Sequence, residues 1–357
     1  MALARPASLH AQSAAIPLDL HLPADAAERL APELWNFMDE NRDISLQLLL
    51  EGPGQSSPGQ VKLRPLSSPP PEAAVTQPGV PFQRQLLMLF WNKDAFTWAG
   101  LDPEAPPTVW QEQIALAVHA TRRQPERLRC WGLQIPADIA AFQALAAQNG
   151  AALADADGVA AFDTPACIEA LQYWVDFGPK WQARPPGAPG TAATLRAFIG
   201  GHAAMAWLPS SSLAAVATHA AFVFGVAPLP AHQAAASVME GEDFYLMATA
   251  SPAQTAAAKR LLGWLMTPER QAARCIADGM LPPDPAAWDT IAMQQHMADF
   301  PAIGVMRTAM ADAVPIFVPH AAEAGAALDA ALTAALEGAA TPEAALAAAR
   351  TSATATK

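Results

Sequence analysis

Residues 86–110 read LLMLFWNKDAFTWAGLDPEAPPTVW, and the order of the pieces decides the fold. Leu86 to Trp91 is an unbroken apolar run, the pattern of a strand buried on both faces. Asn92-Lys93-Asp94 ends that strand and starts a short helix, which Gly100 closes. Pro103, Pro106 and Pro107 then stiffen a connection to Thr108, placed to cap a second helix under which Trp110 buries its ring. Strand, short helix, rigid connection and longer helix belong to an α/β domain.

Toward the N-terminus the same grammar holds and then fails. Residues 16–22 alternate apolar and polar as a first strand. Residues 24–41 follow as an amphipathic helix with Leu30, Leu34, Phe37 and Met38 at helical spacing. Residues 44–50 form a second apolar strand, so the chain opens β-α-β. Residues 51–79 hold seven prolines and little periodicity beyond Val61-Lys62-Leu63, which predicts a long surface loop or partly extended arm. Residues 1–14 are too short and polar for a complete export signal, yet HAQSAA at 10–15 has the small-residue look of a cleavage end. They are read as the remnant of such a signal or as a disordered tail.

Toward the C-terminus, strands and helices continue to alternate. A turn is predicted around Asp157-Gly158, and Thr164-Pro165 starts a helix whose buried face is Ile168, Leu171, Trp174 and Val175. Trp110, Trp174 and Trp264 lie on apolar helical faces and read as core. Residues 197–239 contain no Asp, Glu, Lys or Arg, but Pro209, Ser210-Ser211-Ser212, Pro228 and Pro230 interrupt them, so no membrane span of about twenty apolar residues survives.

Composition narrows the function. The chain has 357 residues, enough for two cores, and a formal net charge of −12, which argues against nucleic acid as a partner. Cys130, Cys167 and Cys275 lack metal-site spacing and read as three reduced thiols, with one disulfide and a spare thiol as the other reading. There is no G-x-S-x-G, P-loop, H-E-x-x-H or C-x-x-C, so no enzyme, metal or cofactor is expected.

The opening segment closely resembles the "YYNKD-F-AGLDP-PP-TW-E" stretch of family 1 extracellular solute-binding proteins, the ligand receptors of ABC importers. Further landmarks follow in order. Trp131-Gly132, the QNGA of 148–151 with Asp155 and Gly158, and Phe162-Asp163-Thr164-Pro165 resemble the family's second-lobe segments. So do FIGGHAAM at 198–205, FGVAPLP at 224–230, TPERQA at 267–272 with DGMLP at 278–282, and LEG at 336–338 with TPEAAL at 341–346. The resemblance implies a two-lobed, type II periplasmic-binding-protein fold joined by crossing hinge strands. Lobe 1 would be residues 15–85 plus 243–295, shortened by the proline-rich arm at 51–79. Lobe 2 would be residues 90–240 plus 296–350. A solute would be trapped between the lobes and delivered to a membrane permease, without chemistry, by a monomeric periplasmic or extracytoplasmic receptor.

Within the family, AMAWLPSSSLA at 204–214 resembles the "A-M-x-x-x-S-S-G-S-L-A" of the glycerol-3-phosphate and glycerophosphodiester receptors. Ser210, Ser211 and Ser212 precede a helix, where hydroxyls and free N–H groups suit a polyhydroxyl or anionic ligand; a plain N-cap is the other reading. Trp131 and Trp207 are candidate stacking residues. Gly241, Gln85, His21 and Arg84 complete the candidate set, Arg84 as a positive charge that replaces the Arg lost near Gly325. Glu240, Glu242 and Asp243 form an acidic lip expected to repel phosphate, which leaves a neutral sugar, a polyol or a cationic ligand open. The lost anchors and the shortened lobe motivate an alternative, a relative that has lost its ligand site and serves as an interaction or scaffold protein.

Overall fold

The computed structural model describes residues 15–50, 60–66, 69–124, 127–155, 159–316 and 322–354. The N-terminal residues 1–14, most of the arm's first half (51–59) and the turn at 156–158 lie outside the described residues. The chain divides into two compact α/β units, Met1–Arg84 with Glu240–Gln295 and Gln85–Met239 with His296–Lys357.

The first unit is built on the β-α-β opening. Strand Ile16–Leu22 pairs in parallel with Ile44–Leu50 through the helix Ala24–Glu40. On its other side Ile16–Leu22 pairs in parallel with Val61–Pro65, which in turn pairs antiparallel with the 242–246 end of Ser237–Leu246. Val61 and Leu63 have no exposed surface. The Val61-Lys62-Leu63 pattern is therefore an interior strand of the sheet and not part of a surface arm. A short strand has too few positions for its alternation to stand out, and its Lys and Arg disguised it. Leu18, Leu20, Leu22, Leu30, Leu34 and Phe37 pack with Leu261 and Leu265 of helix Pro252–Leu265 to make this unit's core. Trp264 sits at the edge of that core, half-buried, with the Arg270 guanidinium 3.6 Å from its ring centroid.

In the second unit, the apolar run from Leu86 to Trp91 is the interior of the sheet. Leu86 to Trp91 are all buried, and the strand extends further than the apolar run predicts, over Val80–Asn92. It pairs antiparallel with Ala203–Pro209 and Phe224–Ala227; Ala203–Pro209 pairs in parallel with Arg127–Gln134. Asn92 accepts the Ala95 N–H to cap helix Lys93–Ala99, and Gly100 closes it in the left-handed conformation. Helix Trp110–Ala120 departs from the expected capping. Thr108 donates its N–H and its hydroxyl to the Glu112 carboxylate, at 2.8 Å each, while Val109 occupies the cap without a side-chain bond. Thr164 caps Pro165–Asp176 through the Cys167 N–H, and Trp110 and Trp174 are buried as expected. All three cysteines are buried and outside any disulfide; burial raises Cys167 and pushes Cys275 up to about 12. Among the described residues, no helix is long and apolar enough to cross a membrane, and no group of three His, Cys, Asp or Glu could hold a metal ion.

One cap carries a pH dependence. Asp138 accepts the Ala141 N–H and the Thr191 hydroxyl at the start of helix Ile139–Gln148. Burial raises its pKa above the ordinary 3.8, and the Asp329 charge adds to the rise, against the two hydrogen bonds. A carboxyl raised in the folded state binds its proton more tightly there than in the unfolded chain. Its contribution to stability is complete in acid and is lost as pH rises through the folded pKa. Asp138→Asn keeps a capping oxygen and removes the buried charge. Its stability relative to the unmodified protein is expected to improve in urea titrations as pH rises above the ordinary carboxylate range and to level off once pH passes the raised folded-state pKa; a difference independent of pH would contradict this assignment.

Candidate functional site

The strand Ala203–Pro209 rises through the second unit's core, and its chain emerges at Pro209 into the short 3-10 turn Ser210–Ser212 and the helix Leu213–His219. Because this strand runs parallel to Arg127–Gln134, the turn lies at the carboxyl end of a parallel pair, where α/β sheets bind ligands. The first two serines are stitched to the neighbouring long strand. Ser210 Oγ accepts the Leu86 N–H at 3.1 Å, and Ser211 Oγ donates to Gln85 Oε1 at 2.7 Å. None of the three makes a side-chain cap. The simple N-cap reading of the serines is therefore set aside. The following helix has seven residues, too short to offer a helix-dipole site, so what this turn could present to a ligand is its hydroxyls and the Gln85 amide.

In the first unit, Arg84 and Gly241 lie side by side. The Arg84 backbone exchanges two hydrogen bonds with Leu281, at 2.9 and 2.7 Å. Its guanidinium lies 2.7 Å from Asp243 Oδ1 and donates to the carbonyls of Gln83 and Glu242, at 2.9 Å each. Gly241 has φ +154°, and a Cβ there would stand 2.1 Å from the Gln83 carbonyl oxygen. The backbones of the two strands meet at this glycine.

These contacts correct the electrostatic expectations. Glu242 Oε2 accepts from Gln83 Nε2 at 2.7 Å and lies 3.9 Å from Arg29, which also reaches Asp278 at 3.5 Å. With Asp243 paired to Arg84, two of the three lip carboxylates are neutralised within their own unit. The repulsion of phosphate expected from them is correspondingly reduced. For the same reason Arg84 is not a spare positive charge, since a carboxylate already holds it. Burial, with the Asp243 charge added, raises the Tyr245 phenol, which stays neutral beside them.

Gln83 is a candidate that the sequence did not single out. It is 3% exposed, and its Oε1 has no hydrogen-bond partner among the described residues. The available signal was a Gln-Arg pair at the head of an otherwise apolar strand.

Three nominated residues are not brought to these clusters. His21 is fully buried in the strand Ile16–Leu22, aligned with Leu49 and Lys62 of the strands on either side. Trp207 has no exposed surface and belongs to the second unit's core, so neither ring face is open to stack on a sugar. Trp131 is partly exposed but pairs with Ala203 at the opposite end of the strand that leads to the serines. Six residue steps at about 3.3 Å place it about 20 Å from the turn. It borders instead a cavity of about 360 Å3 with Gln182, Arg184 and Gly338. The Arg184 guanidinium is committed to the carbonyls of Pro185, Gly187 and Leu336.

The family profile described as bacterial extracellular solute-binding protein matches residues 73–302. Among curated proteins, the chain is 25% identical over 248 residues to the sn-glycerol-3-phosphate-binding periplasmic protein UgpB of Pectobacterium atrosepticum, covering 66% of this chain and 55% of that one. To the protein of the same name from Escherichia coli K12 it is 27% identical over 221 residues, 58% of this chain and 49% of the relative. The chain thus spans about half the length of the curated relatives it matches. Among solved structures, UgpB from Mycobacterium tuberculosis in complex with glycerophosphocholine superposes with a TM-score of 0.78 at 18% identity, covering 95% of this chain and 98% of that one. The cyclic alpha-maltosyl-1,6-maltose binding protein from Arthrobacter globiformis gives 0.76 at 22% identity, covering 96% and 98%. The fold they share with this chain is the type II periplasmic-binding-protein fold.

Proposed function

Since the chain belongs to the bacterial extracellular solute-binding proteins, we propose that it is the solute receptor of an ABC importer, binding a small sugar, polyol or glycerol-phosphate-like molecule. The observation that carries the reading is the serine turn. Hydroxyls of Ser210–Ser212 and the Gln85 amide gather at the carboxyl end of the sheet, in the branch-specific segment that resembles the glycerol-3-phosphate receptors. The ligands of two structural relatives, glycerophosphocholine and cyclic alpha-maltosyl-1,6-maltose, both carry hydroxyls. Such a site recognises them by neutral hydrogen bonds, each worth about 1 kcal/mol. The protein acts as a monomer in the periplasm or its equivalent, hands its solute to a permease and leaves it chemically unchanged.

Calorimetric titration with sn-glycerol-3-phosphate, glycerophosphocholine, maltose and mannobiose tests the reading. At least one is expected to give saturable heat. Replacing Ser211 and Ser212 together by Ala removes two hydroxyls, and at about 1 kcal/mol each the affinity is expected to fall about 30-fold with little change in melting temperature. Unchanged affinity would move the site elsewhere. Silence from every compound, in heat and in thermal shift, would overturn the receptor assignment.

A further inference from the structure

Away from the serine turn, the second unit carries an open cavity of about 670 Å3, the size of a small-molecule site. Its floor is aromatic. Trp110 is sandwiched between Tyr173, with ring centroids 3.9 Å apart at 15°, and His232, 4.4 Å apart at 8°. Trp110 is fixed from below by Gln148, which accepts its indole N–H at 2.7 Å, and Tyr173 donates its hydroxyl to Gln113 at 2.8 Å. The stack is therefore rigid and presents His232 and the partly exposed Trp181, which meets Tyr173 edge-on at 5.9 Å, as its open rings.

The cavity wall is acidic. Glu169, Asp176 and Glu343 line it, and Lys180 is the single Lys or Arg among the lining residues. Glu169 is steadied by Asn149 at 3.0 Å and Asp176 by Gln172 at 2.6 Å. Aromatic faces with carboxylates beside them attract cations, strongly so when the cation carries alkyl groups that shed water easily. The cavity's own residues give an instance of that chemistry. Lys180 Nζ lies 5.1 Å from the Trp181 ring centroid and 2.8 Å from Asp176 Oδ2. Its side chain is 62% exposed, so this ammonium rests at the rim and is readily displaced. The chain's net charge of −12 adds a general bias toward cations.

We propose that this cavity is a second ligand site, separate from the serine turn, for a small organic cation with an alkylated ammonium head. The open faces of Trp181 and His232 take the alkyl groups. Glu169, Asp176 and Glu343 balance the charge, and Lys180 is the resident competitor that an incoming cation displaces.

Choline and its neutral isostere 3,3-dimethylbutan-1-ol are the probes, followed by calorimetry and ligand-observed saturation-transfer NMR. Choline is expected to saturate and the isostere to bind at least about tenfold more weakly, since both offer methyl groups to the rings but only choline's charge gains cation–π attraction and the carboxylates. Glu169→Gln with Glu343→Gln is expected to weaken choline about tenfold. Lys180→Met is expected to tighten it several-fold, because the internal ammonium is gone while the carboxylates remain. The serine-turn double variant is expected to leave choline binding unchanged. No saturable binding, equal binding of the isostere, or a Lys180→Met variant that binds no better would each overturn the proposal. Loss of choline binding in the serine-turn variant would also overturn it, by placing the cation at that turn; failure of the receptor reading alone would leave these results as expected.

Discussion

Gly241→Ala is expected to destabilise the first unit by about 3 kcal/mol, read as a lowered urea midpoint. Two costs add. The residue sits at φ +154°, where an L side chain is strained, and the new methyl would stand 2.1 Å from the Gln83 carbonyl oxygen and 3.1 Å from the Arg84 Cα. Neither neighbour is a flexible side-chain end. Gln83 is in a strand, and Arg84 is held through its backbone to Leu281 and through its guanidinium to Asp243. Gly263 supplies the internal control. It lies inside the helix Pro252–Leu265 of the same unit, with nothing within 4 Å of its ideal Cβ. Gly263→Ala is expected to stabilise by about 0.5–1 kcal/mol through helix propensity alone. Opposite signs from the same substitution in one unit would show that strand contact, not generic glycine flexibility, selects Gly241. Equal effects would refute it.

How much of this was legible in the sequence follows from burial. Leu86 to Trp91 announced a strand because every side chain is enclosed, so nothing polar interrupts the run. The 237–243 portion of Ser237–Leu246 was invisible, because Glu240-Gly241-Glu242-Asp243 looks like a solvated loop. Glu242 and Asp243 are tolerated in a strand because Arg29, Gln83 and Arg84 meet them, from segments far away in sequence. The serine turn could be read because its residues are contiguous and follow a strand. Trp131 and Trp207 could not be told apart, since a Trp that fills a core and a Trp that borders a cavity look the same in sequence. The aromatic and acidic cavity was missed for a related reason. Trp110, Tyr173, Trp181, His232 and Glu343 come from separate segments and share no spacing.

Arg84→Met decides between the role the sequence suggested and the one its surroundings imply. A ligand anchor holds its charge available; this guanidinium is 9% exposed, faces an Asp243 carboxylate that is 11% exposed, and donates to two main-chain carbonyls besides. Removing it leaves a nearly buried carboxylate without its counter-charge and two carbonyls without their donor. The expected cost is about 3–5 kcal/mol, against about 0–1 kcal/mol for a surface pair. Replacing Asp243 by Leu in the same chain removes the orphaned charge and is expected to recover most of the loss. That recovery is the diagnostic. A residue whose deletion is repaired by deleting its partner fastens two strands together, and solute affinity should then return along with stability. If Arg84→Met folds with unchanged stability but loses its solute, or the double replacement restores stability without affinity, then Arg84 contacts the ligand and the pair with Asp243 is secondary.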